Sequence, residues 1–383
     1  MDSVLGMLIF CGGGFAGATF LLPARGVKGW AYETWWMLYC IVGLLLMPAI
    51  VCAIAVPDFC GVISAAPGAT IAKCATFGAI WGIGGLTWGL MVRYLGIGLG
   101  LAIGCGLCAA TGTVLPPIMN GEASKLLFGD DGAVSLGKII VLAGVVGSLL
   151  GIVFVGLAGK LKEGELPEEE KKKAVAEFNF KKGMVVALIS GICSACMNLG
   201  LQSGGVIEQA AYEAAVKAGV IAKGDVWSWK GMPVIMVVLW GGFVVQAAWV
   251  VQQHLKNGTF GDYFRLNSKG LANTECPSGD QSQGAGGVAS VKCGSLLLNW
   301  AFGSAIGVIW VFQFICQKAG EPLMGDLKYI SFAVVMASTI FFSTLIGVVL
   351  GEWKGVSGRT KAYLALGTLI MVASFCVISL GSK

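Results

Sequence analysis

Ten stretches of this chain run for about 20 residues each with uncharged centres, and no other feature restricts its fold as much. They lie at about 4–23, 35–56, 71–92, 97–117, 137–157, 183–203, 232–253, 294–316, 329–350 and 362–380. A helix needs about 20 apolar residues to cross a bilayer. Inside lipid the backbone must satisfy its own polar groups, so runs of this length are helices. Strands of a membrane barrel would be about ten residues long and would alternate strictly, which these runs do not. The sequence therefore predicts an all-α polytopic membrane protein with ten transmembrane helices. Charged residues are 12% of the chain and hydrophobic ones 56%, whereas roughly a quarter of a soluble domain is charged. The helices consume most of the 383 residues and leave no room for a soluble catalytic domain. Asp2 and the lack of a basic region before the first run make that run the first helix rather than a cleaved signal.

The charged segment 160–182 divides the runs five and five. Its Glu168, Glu169 and Glu170 followed by Lys171, Lys172 and Lys173 read as a solvated, partly helical connector. An odd number of helices per half inserts the halves with opposite topology, the inverted-repeat plan of many transporters. The organisation expected is a first five-helix repeat at 1–159, a charged cytoplasmic linker at 160–182, and a second five-helix repeat at 183–383 carrying a polar loop at 256–292. Faint echoes agree: Trp81 and Trp310 are 229 residues apart, and Asn120-Gly121-Glu122 and Leu350-Gly351-Glu352 are 230 apart. Sorted by alternate loops, 17 of the 26 Lys and Arg fall on the side of the 160–182 segment. The positive-inside rule makes that side cytoplasmic and sends both termini outward. Arg93 then marks a cytoplasmic turn between two helices meeting at Arg93-Tyr94-Leu95-Gly96. Small residues four apart, such as Gly13/Gly17, Gly78/Gly82 and Gly147/Gly151, suit close helix packing. Pro116 and Pro117 are expected to kink or end their helix.

Several functions are disfavoured. The chain has no GxxxxGK[ST] loop, HExxH, GxSxG or paired carboxylates, so an enzyme or a self-contained ATP-driven pump is not expected. Most of the 13 cysteines lie inside the apolar runs as small packing residues, and a single histidine with no acidic cluster argues against a metal site. No basic face suggests nucleic acid. His254, at the end of its run, reads as an interfacial residue.

Polar, uncharged residues inside the runs are more informative. Asn198 and Gln202 fall one turn apart, Gln246 is mid-run, and Asn299 and Gln313 bracket a run with Trp310 three residues before Gln313. An amide in hydrocarbon costs several kcal/mol unless paired. Interhelical hydrogen bonding is one explanation. The other is a water-filled cavity with amides for hydroxyl recognition and Trp faces for stacking, chemistry that suits a neutral sugar. Candidate substrate residues are Trp81, Thr87, Asn198, Gln202, Trp310 and Gln313. Acids appear only at the ends of runs: Glu33, Glu122, Glu208, Glu321, Asp326 and Glu352. Glu33 is the candidate proton carrier, because Trp30, Tyr32, Trp35 and Trp36 surround it in sequence and would desolvate it, although an ordinary interfacial aromatic belt explains the same cluster.

The chain resembles the L-rhamnose–proton symporters, within the drug/metabolite transporter superfamily. The resemblance rests on Lys28 to Trp36, on Trp81-Gly82-Ile83-Gly84 with Arg93-Tyr94-Leu95-Gly96, and on Gly112-Thr113 with Pro117-Ile118 and Asn120-Gly121. It continues through Ala158-Gly159, Glu177-Phe178-Asn179, Gly191-Ile192 with Ser194-Ala195, Trp310 with Gln313-Phe314, Tyr329-Ile330-Ser331 and Glu352-Trp353. It implies ten helices in two inverted halves, an inner-membrane location, and proton-coupled uptake of a sugar such as L-rhamnose or a related deoxy sugar. The partners expected are the sugar and the lipid bilayer, with the proton as coupling ion, in a monomer or homodimer. One departure stands out: the family pattern carries two asparagines just after Trp-Gly-Ile-Gly, where this chain has Gly85 and Thr87. An exporter of small metabolites or drugs is the alternative reading.

Overall fold

A computed structural model describes residues 2–119, 134–166, 178–264, 296–323 and 331–381. Each of the ten apolar runs is mostly helical across its described residues, and no β-strand occurs among the described residues. The helices are α1 (Asp2–Thr19), α2 (Tyr32–Ala55), α3 (Phe59–Ala65), α4 (Gly68–Leu95), α5 (Ile97–Met119) and α6 (Leu136–Glu165). They continue with α7 (Phe180–Ser203), α8 (Gly205–Lys217), α9 (Met232–Asn257), α10 (Leu296–Gly320), α11 (Ser331–Val349) and α12 (Gly358–Gly381). Seven are long and apolar enough to cross a membrane, while α5 and α11 carry shorter apolar runs at Ile97–Gly112 and Val334–Val349. Ile54, Leu297, Val349 and Leu369 stand exposed on the outside of the bundle, where lipid tails rather than water suit them. The chain is an all-helical, multi-pass membrane protein. Glu122 and Asp326, Asn120 and Gly121, and most of the 256–292 loop with Cys276 and Cys293 lie outside the described residues.

Helix breaks follow local chemistry. Gly96 takes φ +85°, and its N–H closes on the Val92 carbonyl at 2.8 Å, so α4 stops and α5 starts at Ile97. A side chain is rarely tolerated at that angle. Arg93 does lie in the last turn of α4. Within α2 the stretch Cys40–Leu46 widens into a π-helix just before Pro48. Proline removes one helical donor and crowds the turn before it, which the wider turn relieves. Helix α5 runs through Pro116 and Pro117 to Met119, the last residue described there.

The helices pair in a regular way. Helix α4 packs on α7 and α9, α10 on α1 and α2, α1 on α11, and α7 on α5. Three further pairs, α2 with α9, α5 with α11 and α6 with α12, hold the sets together. Without a hydrophobic drive between helices in lipid, close backbone approach supplies the attraction. A Cβ on Gly82 would lie 2.8 Å from the Gly242 carbonyl oxygen, and one on Gly43 would lie 2.8 Å from Gly307 Cα.

The linker departs from its expected solvation at one residue. Helix α6 extends to Glu165 along α12, and this carries Lys162 into a fully buried position. Its ammonium lies over the rings of Trp353, at 4.8 Å, and Phe178, at 5.0 Å. Aromatic faces attract a desolvated cation, which explains why this lysine leaves water. Beside it, the buried Glu352 carboxylate accepts the N–H groups of Ile97 at 2.9 Å and Gly98 at 3.0 Å, capping α5. Burial pushes the Glu352 carboxyl above the usual range, and Lys162 opposes that shift. At the end of α6, Glu165 accepts from Ser357 N–H, Ser357 Oγ and Thr360 Oγ1, each at 2.7 Å. Residues 204–231, which carry no apolar run, contain the unanticipated helix α8, which buries only Ile207, Ala211 and Ala215.

Candidate functional site

Helices α4 and α10 bring Trp81 and Trp310 face to face. Their rings are near parallel, 12° apart, with centroids 6.2 Å apart. Phe314 stands edge-on to both, and Phe20 closes on Trp310 at 4.5 Å. Trp36 and Tyr39 of α2 continue the wall. Between these rings, α1, α7 and α11 add Gly17, Ser194 and Thr339 to a cavity in which no charged side chain is found among the described residues. The space is narrow, about 50 Å³, on a scale where one water needs roughly 10–15 Å³. A monosaccharide enters only if the aromatic walls part.

The polar atoms of this wall are the informative ones. Trp88 Nε1, Trp310 Nε1 and Gln313 Oε1 are buried, border the cavity, and have no hydrogen-bond partner among the described residues. Gly17 leaves the room that the Gln313 carbonyl occupies, since a Cβ there would collide with it. Gln246 of α9 shows the same pattern. Its Oε1 accepts the Trp36 indole at 3.0 Å, but its Nε2 is unpartnered, and a Cβ on Gly85 would lie 2.6 Å from that nitrogen. Each unmade bond costs about 1–3 kcal/mol in a buried place. Several around one cavity suit a ligand rich in hydroxyl groups.

The candidate substrate residues do not all meet. Trp81, Trp310 and Gln313 line the central cavity. Thr87 does not, because its hydroxyl bonds the carbonyls of Gly84 at 2.9 Å and Ile83 at 3.2 Å in its own helix. Asn198 and Gln202 line a second, polar space of about 310 Å³ with Glu208, Gln317 and Lys318. It sits one helical turn beyond the first: Ser194 and Met197 line the cavity and Asn198 and Leu201 the second space, just as Gln313 precedes Gln317. There Lys318 Nζ binds Glu208 at 2.8 Å and Glu321 at 3.1 Å, and Glu321 accepts from Ser331.

Glu33 lies on the opposite side of the cavity, one turn before Trp36 on α2. It is 6% exposed and sits against the end of α9 and the 3-10 turn Thr259–Tyr263. Asn257 Nδ2 donates to it at 2.9 Å and Thr259 Oγ1 at 2.8 Å. His254, expected at the interface, is fully buried behind Thr259. Neighbouring Asp262 Oδ2 accepts from Ala31 N–H at 2.9 Å and from Thr34 at 3.0 Å, which fixes the turn to the start of α2. Burial pushes the Tyr263 phenol above its ordinary value, so it stays protonated. Sequence reasoning singled out Glu33 as a candidate but could not see its partners, because they lie more than 220 residues away in the chain.

A multi-pass helical bundle with an uncharged, aromatic-walled cavity at its centre belongs to the class of membrane transport proteins. A profile of the L-rhamnose-proton symport protein family matches residues 2–266. The chain belongs to that family, which is one of symporters and not of enzymes. The L-rhamnose-proton symporter of Yersinia pestis bv. Antiqua (strain Antiqua) is 27% identical over 378 residues, covering 99% of this chain and 98% of the relative. The L-rhamnose-proton symporter of Cronobacter sakazakii (strain ATCC BAA-894) is 27% identical over 380 residues, covering 98% of this chain and 97% of that one. No solved structure matches the chain.

Proposed function

We propose that this protein imports L-rhamnose or a related deoxy sugar with protons, by alternating access about the central cavity. The observation that carries the reading is the set of unpartnered buried polar atoms in an uncharged aromatic wall. Trp81 and Trp310 stack on the apolar faces of the sugar, and Gln313 accepts from a hydroxyl. The Gln246 amide, admitted by Gly85, donates to another and stands in for the amides that the family pattern carries near that position. Asn198 and Gln202 form an outer vestibule, and Thr87 shapes α4 rather than touching sugar. Glu33 carries the proton.

Ten helices in two inverted repeats support such a mechanism. Exchange each helix for the one five positions later, counting the ten long helices, and the pairings map onto one another. Helix α1 with α11 becomes α7 with α5, and α1 with α10 becomes α7 with α4. Helix α2 with α10 becomes α9 with α4, while the pairs α2–α9, α5–α11 and α6–α12 map onto themselves. On this reading the repeats are 1–159 and 183–383, joined by a cytoplasmic linker, in an inner membrane with both termini outside. The Glu33 side of the cavity then faces the cytoplasm and the Lys318 side faces out. The assembly is a monomer or homodimer. The family relation lends the exporter reading no support.

The test is uptake of labelled rhamnose into proteoliposomes with an imposed inward proton gradient, with unlabelled sugars as competitors. Gradient-dependent accumulation is expected. Its absence, for rhamnose and for every competing sugar, would sink the proposal.

A further inference from the structure

We infer that Thr259 and His254 form the relay through which the Glu33 proton leaves for the water beyond Tyr263, an inference that rests on Glu33 being the coupling acid. Four groups stand in series. Thr259 Oγ1 donates to Glu33 Oε1 at 2.8 Å, His254 Nδ1 meets Thr259 Oγ1 at 2.7 Å, and His254 Nε2 meets the Tyr263 hydroxyl at 2.9 Å. The chain holds no other histidine.

The hydrogen positions follow from chemistry. An ionised Glu33 only accepts, so the Thr259 proton points at it. The Thr259 oxygen must then accept from His254 Nδ1–H, which leaves Nε2 as an acceptor for the Tyr263 phenol. Tyr263 remains a phenol because burial holds its proton. Each member of the series is thus satisfied in one direction, and each bond can reverse.

With Glu33 protonated, the series points the other way. The Glu33 proton passes to Thr259 Oγ1 as the Thr259 hydroxyl proton passes to His254 Nδ1. The imidazolium then releases its Nε2 proton to the Tyr263 oxygen, while the phenol proton leaves to water. One proton has left Glu33, one has entered solvent, and the imidazole is neutral again. Burial matches the direction: Glu33 and His254 are buried, while Thr259 and Tyr263 are only half-buried and lie toward the end of the bundle. The titratable groups facing His254 are Glu33 from α2 and Asp262 and Tyr263 from the 3-10 turn. Phe260 stacks on the ring at 4.6 Å and holds its plane.

The relay separates two assays in proteoliposomes. Gradient-driven accumulation requires the proton to leave, whereas exchange of labelled for unlabelled rhamnose without a gradient does not. Thr259→Val keeps the shape and removes the hydroxyl, and His254→Gln removes the titratable ring. Both are expected to lower accumulation about 100-fold while retaining exchange, with loss of the dependence of uptake on internal pH. Thr259→Ser is expected to restore accumulation. Full accumulation in Thr259→Val would overturn the relay, and so would equal loss of accumulation and exchange, which marks a structural role. Glu33→Gln is measured alongside. If it accumulates sugar, the coupling assignment fails and the relay with it, whereas failure of Thr259→Val alone to show a defect leaves Glu33 standing. Wild-type protein that accumulates no sugar would instead remove the transport proposal.

Discussion

The central cavity and the hydrogen-bond series that begins at Glu33 meet α2 one helical turn apart, and the series is partnered where the cavity wall is not. In the cavity, Trp88, Trp310 and Gln313 each hold a buried polar atom with no partner among the described residues. In the cluster, hydrogen bonds engage Glu33, both nitrogens of His254, Thr259 and Tyr263. The contrast separates two tasks. A wall with unmet bonds, at about 1–3 kcal/mol each, lowers the stability of the empty protein and favours a ligand that brings hydroxyls. A closed chain of bonds in a low dielectric polarises along its length and holds a proton path ready.

The sharpest way to break this division is Glu33→Gln. It is expected to abolish accumulation driven by a proton gradient, by about 100-fold or more, and to leave rhamnose-induced thermal stabilisation in place. Loss of both together would mean that the two regions are one site. Next in size, Gln313→Leu is expected to weaken rhamnose binding about fivefold to 150-fold, from the roughly 1–3 kcal/mol of a buried bond, as read by calorimetry. The same change should raise the melting temperature of the empty protein, because it deletes an unmet acceptor. Binding at wild-type strength would show that the sugar does not use this wall.

Gly85→Asn is a smaller perturbation with a sharper reading. Its Cβ would meet Gln246 Nε2 at 2.6 Å, an overpacking that costs about 1–3 kcal/mol. A lower melting temperature is expected, together with a changed order of preference in a competition panel of deoxy sugars. An unchanged order would remove Gln246 and Gly85 from sugar selection. Glu208→Gln should matter less, since Lys318 keeps Glu321 and both acids are partly solvated. About 1 kcal/mol or less of stability is expected to go, with rhamnose affinity unchanged.

The smallest effect concerns pH. Hydrogen bonds from Ser357 and Thr360 hold the Glu165 carboxyl below its ordinary value. A depressed folded-state value means that this latch contributes above the ordinary carboxylate range and is lost as pH falls through the depressed value. Thr360→Ala should therefore lower the melting temperature slightly at neutral pH, and the difference from wild type should shrink in acid. A difference that grows in acid would contradict the assignment.

Legibility differed by kind of feature. The membrane helices were readable because twenty uncharged residues in a row exclude water whatever surrounds them. The Arg93–Gly96 turn was readable for a local reason too, since a charge that must leave lipid followed by a glycine free to take a positive φ marks where two spanning helices meet. Helix α8 was not, because it buries only a narrow apolar stripe. The polar residues stood out in the apolar runs but could not be sorted. Asn198 and Gln313 look alike as amides in apolar runs, and only packing sends one to a polar vestibule and the other to the cavity wall. His254 read as interfacial because its burial depends on the 3-10 turn that folds back over it, placing Thr259 and Tyr263 on its two nitrogens, and on Glu33 of α2 beyond Thr259.

By itself the sequence determined that this chain is a helical membrane protein, where its long apolar helices run, and which glycines and amides stood out within them. These follow from hydropathy and backbone chemistry, which act over a few residues. Tertiary structure alone decided that Gly17 and Gly85 make room for the amides of Gln313 and Gln246, that Lys162 leaves water, and that Glu33 reaches His254 through Thr259. The reason is physical: whether a buried polar atom is satisfied depends on the few ångströms between helices, a distance that no single stretch of chain encodes.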